Sequence, residues 1–255
     1  MEKINIIKVG GAIVEEPKSL RNFLQRFANI PGNKILVHGG GRSATNIAAA
    51  LGIESHMEDG RRITDDEMLR VVTMVYGGLV NKNIVAQLQA IQVNALGLTG
   101  ADMNVIRSHR RPAGLVDYGW VGDVDQVDAS RLSSLLRNGI TPVMAPLTHD
   151  AQGHLLNTNA DTIASQVATA LSSYFAVTLT YCFEKPGVLR NPDDDTSVIP
   201  LIMESDYQML VAEGVISGGM LPKLDNAFRA LHRGVQRVII TNASHPDGAG
   251  GTVIR

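Results

Sequence analysis

Two short apolar runs near the start of the chain each end in consecutive glycines, and a helical pattern follows each of them. The first run, INIIKVGG, ends at Gly10 and Gly11, and the second, KILVHGGG, ends at the triplet 39–41. Between them, apolar residues recur at helical spacing over positions 20–30. Strands that alternate with helices in this way form a parallel sheet with helices on both faces. The sequence therefore predicts the α/β class.

The middle of the chain contains further helix and turn signals. The stretch TDDE (64–67) has the form of a capping box, which predicts a helix from about residue 65 to residue 76. A glycine pair at 77–78 interrupts this pattern and predicts a separate second helix over about 80–91. The turn-rich segment DYGWVGDVDQVD (117–128) predicts a β-hairpin.

Composition excludes several classes of protein. Hydrophobic residues make up 44% of the 255, yet no apolar run reaches the roughly 18 residues that a membrane-spanning helix needs. The single cysteine, Cys182, excludes an internal disulfide and every multi-cysteine metal site. A net charge of −2 gives no electrostatic surface for nucleic acid. We expect a cytoplasmic protein with no membrane and no nucleic-acid partner.

Lys8 lies inside the first apolar run, where a charged side chain is costly unless its ammonium group reaches an anion or a polar cleft. One interpretation places Lys8 on an edge strand with its ammonium group extended to water. The other places it at the carboxyl end of a central strand, where open α/β sheets bind ligands. Gly10 and Gly11 follow directly and favour the second interpretation, because glycines allow a close approach to the backbone at that end.

A second lysine stands at a predicted helix start. Gly218 and Gly219 precede the run LPKLDNAFRALH, whose first turn contains Lys223. A lysine there faces the positive end of the helix dipole, which is unfavourable unless a bound phosphate reverses the sign. The alternative is an exposed ammonium group that turns away to water.

Polar residues also open the predicted helix in NTNADTIASQVATAL. Asn157 and Asn159 are good capping residues and Asp161 complements the helix dipole, so a structural role accounts for part of this group. Three such residues exceed what one helix end requires, and an aspartate near two lysines orients both. Arg62, in GRRIT, is the residue type that binds carboxylates through two parallel hydrogen bonds, although exposed arginines beside turns are common.

The glycine triplet fits two unrelated motifs. Residues 39–44, GGGRSA, satisfy the dinucleotide-binding pattern G-x-G-x-x-G/A, but no acidic residue follows at a strand end about 20 positions on. The stretch HGGG (38–41) also matches an oxyanion motif of α/β-hydrolases, which requires a G-x-S-x-G elbow that the sequence lacks. A Rossmann-type oxidoreductase stays open as an alternative, as does an amino-acid sensor without catalytic activity.

The chain resembles the amino-acid kinase family, and within it the members that phosphorylate N-acylated glutamates. The matching stretches are IIKVGGAIV, LVHGGG, GRRIT, GLTGAD, GWVGDV, LLNTNAD, ISGGMLPK and GTVIR. They span nearly the whole chain, and their combination is far more specific than any single motif. The resemblance implies a three-layer αβα sandwich around a mainly parallel sheet. It also implies an N-terminal lobe over 1–174 for the acylglutamate and for dimerisation, and a C-terminal lobe over 175–255 for ATP.

The resemblance further implies the reaction. ATP, with Mg²⁺ carried on its phosphates and not in a protein metal site, would phosphorylate the γ-carboxylate of N-acetyl-L-glutamate, the second step of arginine biosynthesis. Lys8 and Lys223 would flank the transferring phosphoryl group, and Asp161 would organise the two lysines. Arg62 and Asn157 would hold the carboxylates and the amide of the substrate.

Four glycines receive binding roles from the same resemblance. Gly10, Gly11, Gly40 and Gly41 would donate backbone N–H groups to phosphoryl oxygens. Gly40 and Gly41 would also border the acylglutamate.

The sequence departs from the family in two places. After FAVTLT, the longer stretch YCFEKPGVL (181–189) replaces a short segment with an aspartate, so no adenine contacts are predicted around Tyr181–Gly187. The chain also begins at its first strand, without the extra helix of arginine-inhibited hexamers, and we expect a homodimer without arginine feedback. Nearer alternatives are N-succinylglutamate as the acceptor, or a carbamate, aspartate, uridylate or glutamate 5-kinase.

Overall fold

Strands and helices alternate along the computed structural model, which describes residues 1–58 and 60–255. The strands are β1 (Lys3–Val9), β2 (Asn33–His38), β3 (Met57–Glu58), β4 (Arg61–Arg62), β5 (Ala95–Leu98), β6 (Ile106–Arg110), β7 (Gly122–Val127), β8 (Thr141–Met144), β9 (Leu147–His149), β10 (Leu155–Asn157), β11 (Ala176–Phe183), β12 (Leu201–Ile202), β13 (Arg237–Asn242) and β14 (Thr252–Ile254). The α-helices are α1 (Gly11–Glu15), α2 (Pro17–Asn29), α3 (Gly41–Ala50), α4 (Asp66–Val72), α5 (Asn81–Ala90), α6 (Ala129–Arg137), α7 (Ala160–Leu171), α8 (Glu204–Ala212) and α9 (Leu221–His232).

Eight of the strands form one mainly parallel sheet in the order β12-β14-β13-β11-β1-β2-β8-β5. Within the described residues, β13 and β14 are the one antiparallel pair of this sheet. β1 lies in its interior, between β11 and β2. The edge-strand interpretation of Lys8 is therefore wrong, and the central-strand prediction is confirmed.

Two hydrophobic cores cover the two faces of this sheet, as the period of two along each strand dictates. Along β1, Ile4 and Ile6 pack into the core beneath α6, α7, α8 and α9, whereas Ile7 and Val9 pack into the core beneath α2, α3, α4 and α5. Lys8 shares the parity of the first pair and faces α7. Helices on both faces confirm the predicted three-layer αβα sandwich.

A smaller sheet, β10-β9-β6-β7, and the two-stranded pair β3–β4 add the side of the molecule that carries Asn157 and Arg62. The antiparallel partner of β7 is β6. A hairpin does form here, but its first strand is Ile106–Arg110, and residues 117–121 belong to the connection and not to a strand of their own. The prediction of a hairpin contained in 117–128 is wrong.

Residues 66–90 form one continuous helical rod, in which a π-helix, Thr73–Val80, joins α4 to α5. The predicted break at the glycine pair 77–78 is wrong. Glycine weakens a helix by only about 1 kcal/mol relative to alanine. The burial of Tyr76 and Val80 outweighs that cost. Tyr76, which lies in this π-helix, packs against Gly40 of the glycine triplet.

The cap of α4 is Asp65 and not Thr64. The Asp65 carboxylate accepts a hydrogen bond from the Met68 N–H at 2.8 Å, so the predicted helix start holds to one residue while the predicted capping box is wrong. The Thr64 hydroxyl donates instead to the carbonyl of Arg62 at 3.1 Å and accepts from Asn157 Nδ2 at 2.9 Å. Thr64 thus joins two predicted site residues.

The predicted boundary at 174/175 falls just before β11. Since β11 pairs along its length with β1, the sheet is continuous across that position. The assignment of 1–174 and 175–255 to two lobes stays a prediction. No helix among residues 1–58 and 60–255 combines the length and the apolar character that crossing a bilayer requires.

Candidate active site

The strands β11, β1 and β2 end side by side at one edge of the sheet, and two cavities open there. We call the first the lysine cavity; it measures about 550 Å³, within the range of small-molecule sites. Its lining includes Lys8, Gly10, Gly11, Gly41, Asp161, Phe183 and Lys223. We call the second the arginine cavity. Its lining includes Gly40, Gly41, Arg62, Tyr76, Arg111, Asp123 and Asn157. Gly41 lines both cavities, so all nine predicted site residues lie around two adjacent cavities.

An ion pair lies at the inner end of the lysine cavity. Lys8 Nζ is 2.8 Å from Asp161 Oδ1, and Lys8 is 8% exposed. Asp161 stands in the first turn of α7, where the helix dipole favours a negative charge, and Asn159 caps that helix through the N–H groups of residues 161 and 162. The buried ammonium group of Lys8 is therefore paired with the Asp161 carboxylate of the neighbouring helix α7.

Lys223 enters the same cavity from the first turn of α9. Burial lowers the pKa of its ammonium group, the charge of Asp161 opposes this effect, and the charge of Lys8 adds to it. A buried and a partly buried ammonium group thus lie in one cavity with a single carboxylate, which pairs directly with Lys8. Such a cluster attracts a further anion, because a second negative group relieves the repulsion between the two lysines.

The glycine turns after β1 and β2 face each other closely. A Cβ atom built on Gly11 would lie 3.7 Å from the backbone nitrogens of both Gly40 and Gly41. Gly11 and Gly41 begin α1 and α3, and the first N–H groups of a helix have no partner within it. The Gly10 N–H is already donated to the carbonyl of Cys182 at 3.1 Å. The geometry is thus open to an anion at Gly11, Gly40 and Gly41, whereas Gly10 serves to shape the turn.

Glu15 ties these two turns together, a role that sequence reasoning missed. Its carboxylate accepts hydrogen bonds from the Ser43 N–H at 2.6 Å and from the Ser43 hydroxyl at 3.3 Å. This contact joins α1 to the first turn of α3. Glutamate directly after GGAIV is a usable signal, because a carboxylate next to a glycine turn is a common partner for free N–H groups.

Arg62 and Asn157 are brought together at the arginine cavity, as predicted. Arg62 is 7% exposed and donates to the carbonyl of Gly41 at 2.8 Å and to the Thr45 hydroxyl at 2.9 Å. It also donates to the Ser55 hydroxyl. These bonds hold the guanidinium group beside the glycine triplet.

Three more residues of the arginine cavity escaped the sequence analysis. Tyr76 presses its ring against Gly40, and burial raises the pKa of its hydroxyl. Arg111 and Asp123 form a two-bond pair, with Nε 2.9 Å from Oδ2. That hydrogen bond lowers the pKa of the Asp123 carboxyl and raises that of Arg111. The Arg110–Arg111 dipeptide was visible in the sequence, but nothing there separates a site arginine from a solvated one.

His38 holds the triplet from below. It is fully buried, its Nδ1 lies 2.7 Å from the carbonyl of Gly39, and its Nε2 lies 3.1 Å from Asn81 Nδ2. A carbonyl only accepts, so Nδ1 carries the proton and Nε2 accepts from the Asn81 amide. Burial lowers the pKa of His38 to about 4. The histidine is therefore neutral at pH 7 and acts as a support of the loop.

Comparisons with known proteins agree with this geometry. The model of the amino acid kinase family matches residues 3–242. An acetylglutamate kinase from Bacteroides fragilis is 65% identical over 254 residues, which cover 100% of this chain and 97% of that protein. The relatedness therefore extends over the full length and includes both cavities.

Solved structures share the architecture. The protein smu.665 from Streptococcus mutans UA159 matches with a TM-score of 0.77 at 26% identity over 98% of each chain. N-acetylglutamate synthase from Neisseria gonorrhoeae, complexed with coenzyme A and N-acetyl-glutamate, matches with a TM-score of 0.80 at 23% identity. That match covers 98% of this chain and 59% of the synthase, and it supports the fold alone.

Proposed function

The chain belongs to the amino acid kinase family, and within it to the acetylglutamate kinases, and on that premise we propose that it transfers the γ-phosphoryl group of ATP to the γ-carboxylate of N-acetyl-L-glutamate. The product is an acyl phosphate. The observation that carries the proposal is the juxtaposition of the Lys8–Asp161 pair and Lys223 with the glycine turns that also border Arg62. The two lysines therefore lie on one side of the glycine turns, and Arg62, a residue type that binds carboxylates, lies on the other.

The lysine cavity suits the phosphoryl group. In this proposal Lys8 lies toward the γ-phosphoryl group and Lys223 toward the leaving oxygen, while Asp161 holds the two lysines in place. The acceptor is a carboxylate that is already ionised at pH 7, so the reaction needs no general base. Catalysis then consists of in-line positioning and neutralisation of charge, for which the two lysines and the backbone N–H groups are suited.

The arginine cavity suits the acceptor. Arg62 is placed to bind a carboxylate with its guanidinium group, and Asn157 offers its amide to the acyl-amide group. Gly40 and Gly41 line the same cavity and would border the acceptor's reacting end. This arrangement points the γ-carboxylate toward the lysine cavity.

ATP and Mg²⁺ belong to the same proposal. Among the described residues, no three His, Cys, Asp or Glu side chains are grouped to hold a metal ion. Asp161, the carboxylate at the phosphoryl end, is engaged by Lys8. This donor set fits a Mg²⁺ ion that is carried by phosphate oxygens and water, where it would neutralise phosphate charge. A cytoplasmic homodimer that serves arginine biosynthesis completes the proposal.

The test is ATP-dependent acyl phosphate formation, trapped with hydroxylamine as the hydroxamate. N-acetylglutamate, N-succinylglutamate and unmodified glutamate are compared side by side at equal concentration. We expect hydroxamate with an acylated glutamate and little with glutamate itself. If neither acylated glutamate gave hydroxamate, the proposed reaction would be refuted.

N-succinylglutamate is kept as the second acceptor because of one observation. Arg61 and Arg111 line the arginine cavity together with Arg62, and Asp123 balances one of the three charges. A succinyl group adds a carboxylate that a surplus arginine can bind. The ratio of kcat/KM for the two acceptors decides between them.

A further inference from the structure

The lysine cavity contains an aromatic ring close to both of its ammonium groups. The ring centroid of Phe183 lies 3.7 Å from Lys223 Nζ and 5.1 Å from Lys8 Nζ. Both distances fall within the roughly 6 Å over which an aromatic face attracts an ammonium group. Phe183 belongs to the stretch YCFEKPGVL, where the sequence departs from the pattern that it otherwise resembles.

Charge alone leaves this cluster incompletely stabilised. Lys8 and Asp161 pair directly, and the charge of Asp161 also favours the ammonium form of Lys223, but burial, the largest influence, and the charge of Lys8 act against that form. The remaining charged groups that line the cavity are Arg42, Glu184 and Lys185. Arg42 and Glu184 pair loosely at 3.8 Å with both side chains largely exposed, and Lys185 pairs with Asp195. The face of Phe183 is therefore the nearest further source of stabilisation for Lys223.

The orientation of the ring is itself fixed by the fold. Tyr181 and Phe183 are two residues apart on β11 and project from the same face of the sheet. Their rings stack with centroids 6.1 Å apart and planes 12° apart. The Tyr181 hydroxyl donates to the backbone carbonyl of Asp161 at 3.3 Å. One buried tyrosine thus aligns both the ring and the residue that pairs with Lys8.

We propose that Phe183 is a positioning residue for phosphoryl transfer, whose ring face holds the ammonium groups of Lys223 and Lys8 by cation–π attraction. The inference rests on the proposed function. A neutral ring is better suited to this task than an acidic side chain. It restrains the lysines and adds no negative charge, so the cluster of two ammonium groups and one carboxylate keeps its net positive charge for the phosphoryl group.

The test distinguishes the electrostatic effect of the Phe183 ring face from the effect of the ring's shape. Phenylalanine at position 183 is replaced site-specifically by its 4-fluoro, 3,5-difluoro and 3,4,5-trifluoro analogues, which weaken the negative potential of the ring face with little change in volume. Two quantities are measured across the series. One is the pKa of Lys223, from NMR of lysine labelled with ¹³C and ¹⁵N and assigned with Lys223→Arg; the other is kcat and KM in the hydroxamate assay.

We expect both quantities to change with the number of fluorines. Cation–π contacts of this kind are worth roughly 0.5–2 kcal/mol, which corresponds to a fall in kcat of about 2- to 30-fold and a fall in the Lys223 pKa of about 0.4 to 1.5. KM for the acylglutamate stays nearly constant, because the arginine cavity is untouched. The same analogues at Phe23, which stacks on Phe27 in the opposite core, serve as the matched control and leave both quantities unchanged.

The outcomes distinguish this inference from the function on which it rests. If the wild type is active but neither the Lys223 pKa nor kcat changes with fluorination, the inference is overturned and the proposed function still stands. A fall in kcat without a fall in the pKa of Lys223 also overturns it, since packing would then explain the effect. A wild type that phosphorylates no acylated glutamate overturns the proposed function, whatever the pKa series shows.

Discussion

Acidification should destabilise this protein through one buried histidine. His38 is fully buried and neutral, with Nδ1 donating to Gly39 and Nε2 accepting from Asn81. Its pKa is about 4 in the folded protein, against an ordinary value of 6.5 in the unfolded chain. Between these two pH values, His38 is protonated in the unfolded chain but not in the folded protein. The free energy of unfolding therefore falls as the pH drops from 6.5 toward 4.

The size of the effect follows from the two pKa values. Each pH unit inside the window costs up to about 1.4 kcal/mol, so acidification from pH 7 to pH 5 removes about 2 kcal/mol. This is a large part of the 5–15 kcal/mol by which a domain is usually stable. Protonated Nε2 would also lose its hydrogen bond from Asn81, which loosens the support of the glycine triplet.

The assay is urea unfolding of the wild type and of His38→Asn between pH 5 and pH 7. Asparagine keeps a donor for the carbonyl of Gly39 but does not titrate in this range, so the variant starts less stable and loses less on acidification. Carboxylates contribute equally to both proteins, and the difference between the two curves isolates His38. His56→Asn serves as the control, because it removes a histidine whose side chain is 60% exposed. Parallel curves for the wild type and His38→Asn would refute the reasoning.

Three further predictions concern the two cavities. Lys8→Arg lowers kcat by about 100-fold or more with little change in melting temperature, because a guanidinium group keeps a positive charge beside Asp161 but does not place it where the Lys8 ammonium group lies; unfolding of the variant would instead assign Lys8 a structural role. Gly40→Ala lowers the free energy of unfolding by about 1–3 kcal/mol and raises KM for the acceptor, because its Cβ would lie 3.0 Å from the Tyr76 ring. Gly78→Ala is its matched control, since no described atom lies within 4 Å of a Cβ built there, and equal losses in the two variants would contradict the steric argument. The kcat/KM for ATP falls at alkaline pH with a pKa below 10.5, because the pKa of Lys223 is lowered, and Lys223→Arg moves this limb upward; a wild-type profile that is flat to pH 10.5 would count against a charged Lys223 in ATP binding.

The layered fold and the outline of the site were accessible from the sequence. Glycines that end apolar runs mark the carboxyl ends of strands, and parallel strands bring those ends together. The glycines that follow Lys8 favoured a central strand over an edge strand, and β1 does lie between β11 and β2. Asp161 was identified from its position at a helix start, and its pairing with Lys8 follows from the packing of α7 on β1.

What sequence reasoning missed depends on distances between segments remote in the chain. Local propensity predicted a break at the glycine pair 77–78, but packing across the whole rod held the helix together as a π-helix. Phe183 appeared as a departure from a familiar pattern, and its role emerges only when Lys223, 40 positions later, lies over its ring. Arg111 likewise could not be recognised as a cavity residue from the sequence, because its pairing with Asp123 across the hairpin is visible only in the structure.

The placement of β1 between β2 and β11 has a consequence for folding while the chain is being synthesised on the ribosome. One edge of β1 finds its partner as soon as residues 33–38 emerge, but the other edge waits for residues 176–183. At about 5–20 residues per second, the wait lasts on the order of ten seconds. During this time the unpaired edge of INIIKV is open to foreign strands. β11 thus closes the second edge of β1, and the lysine cavity is completed later, when α9 brings Lys223 to it.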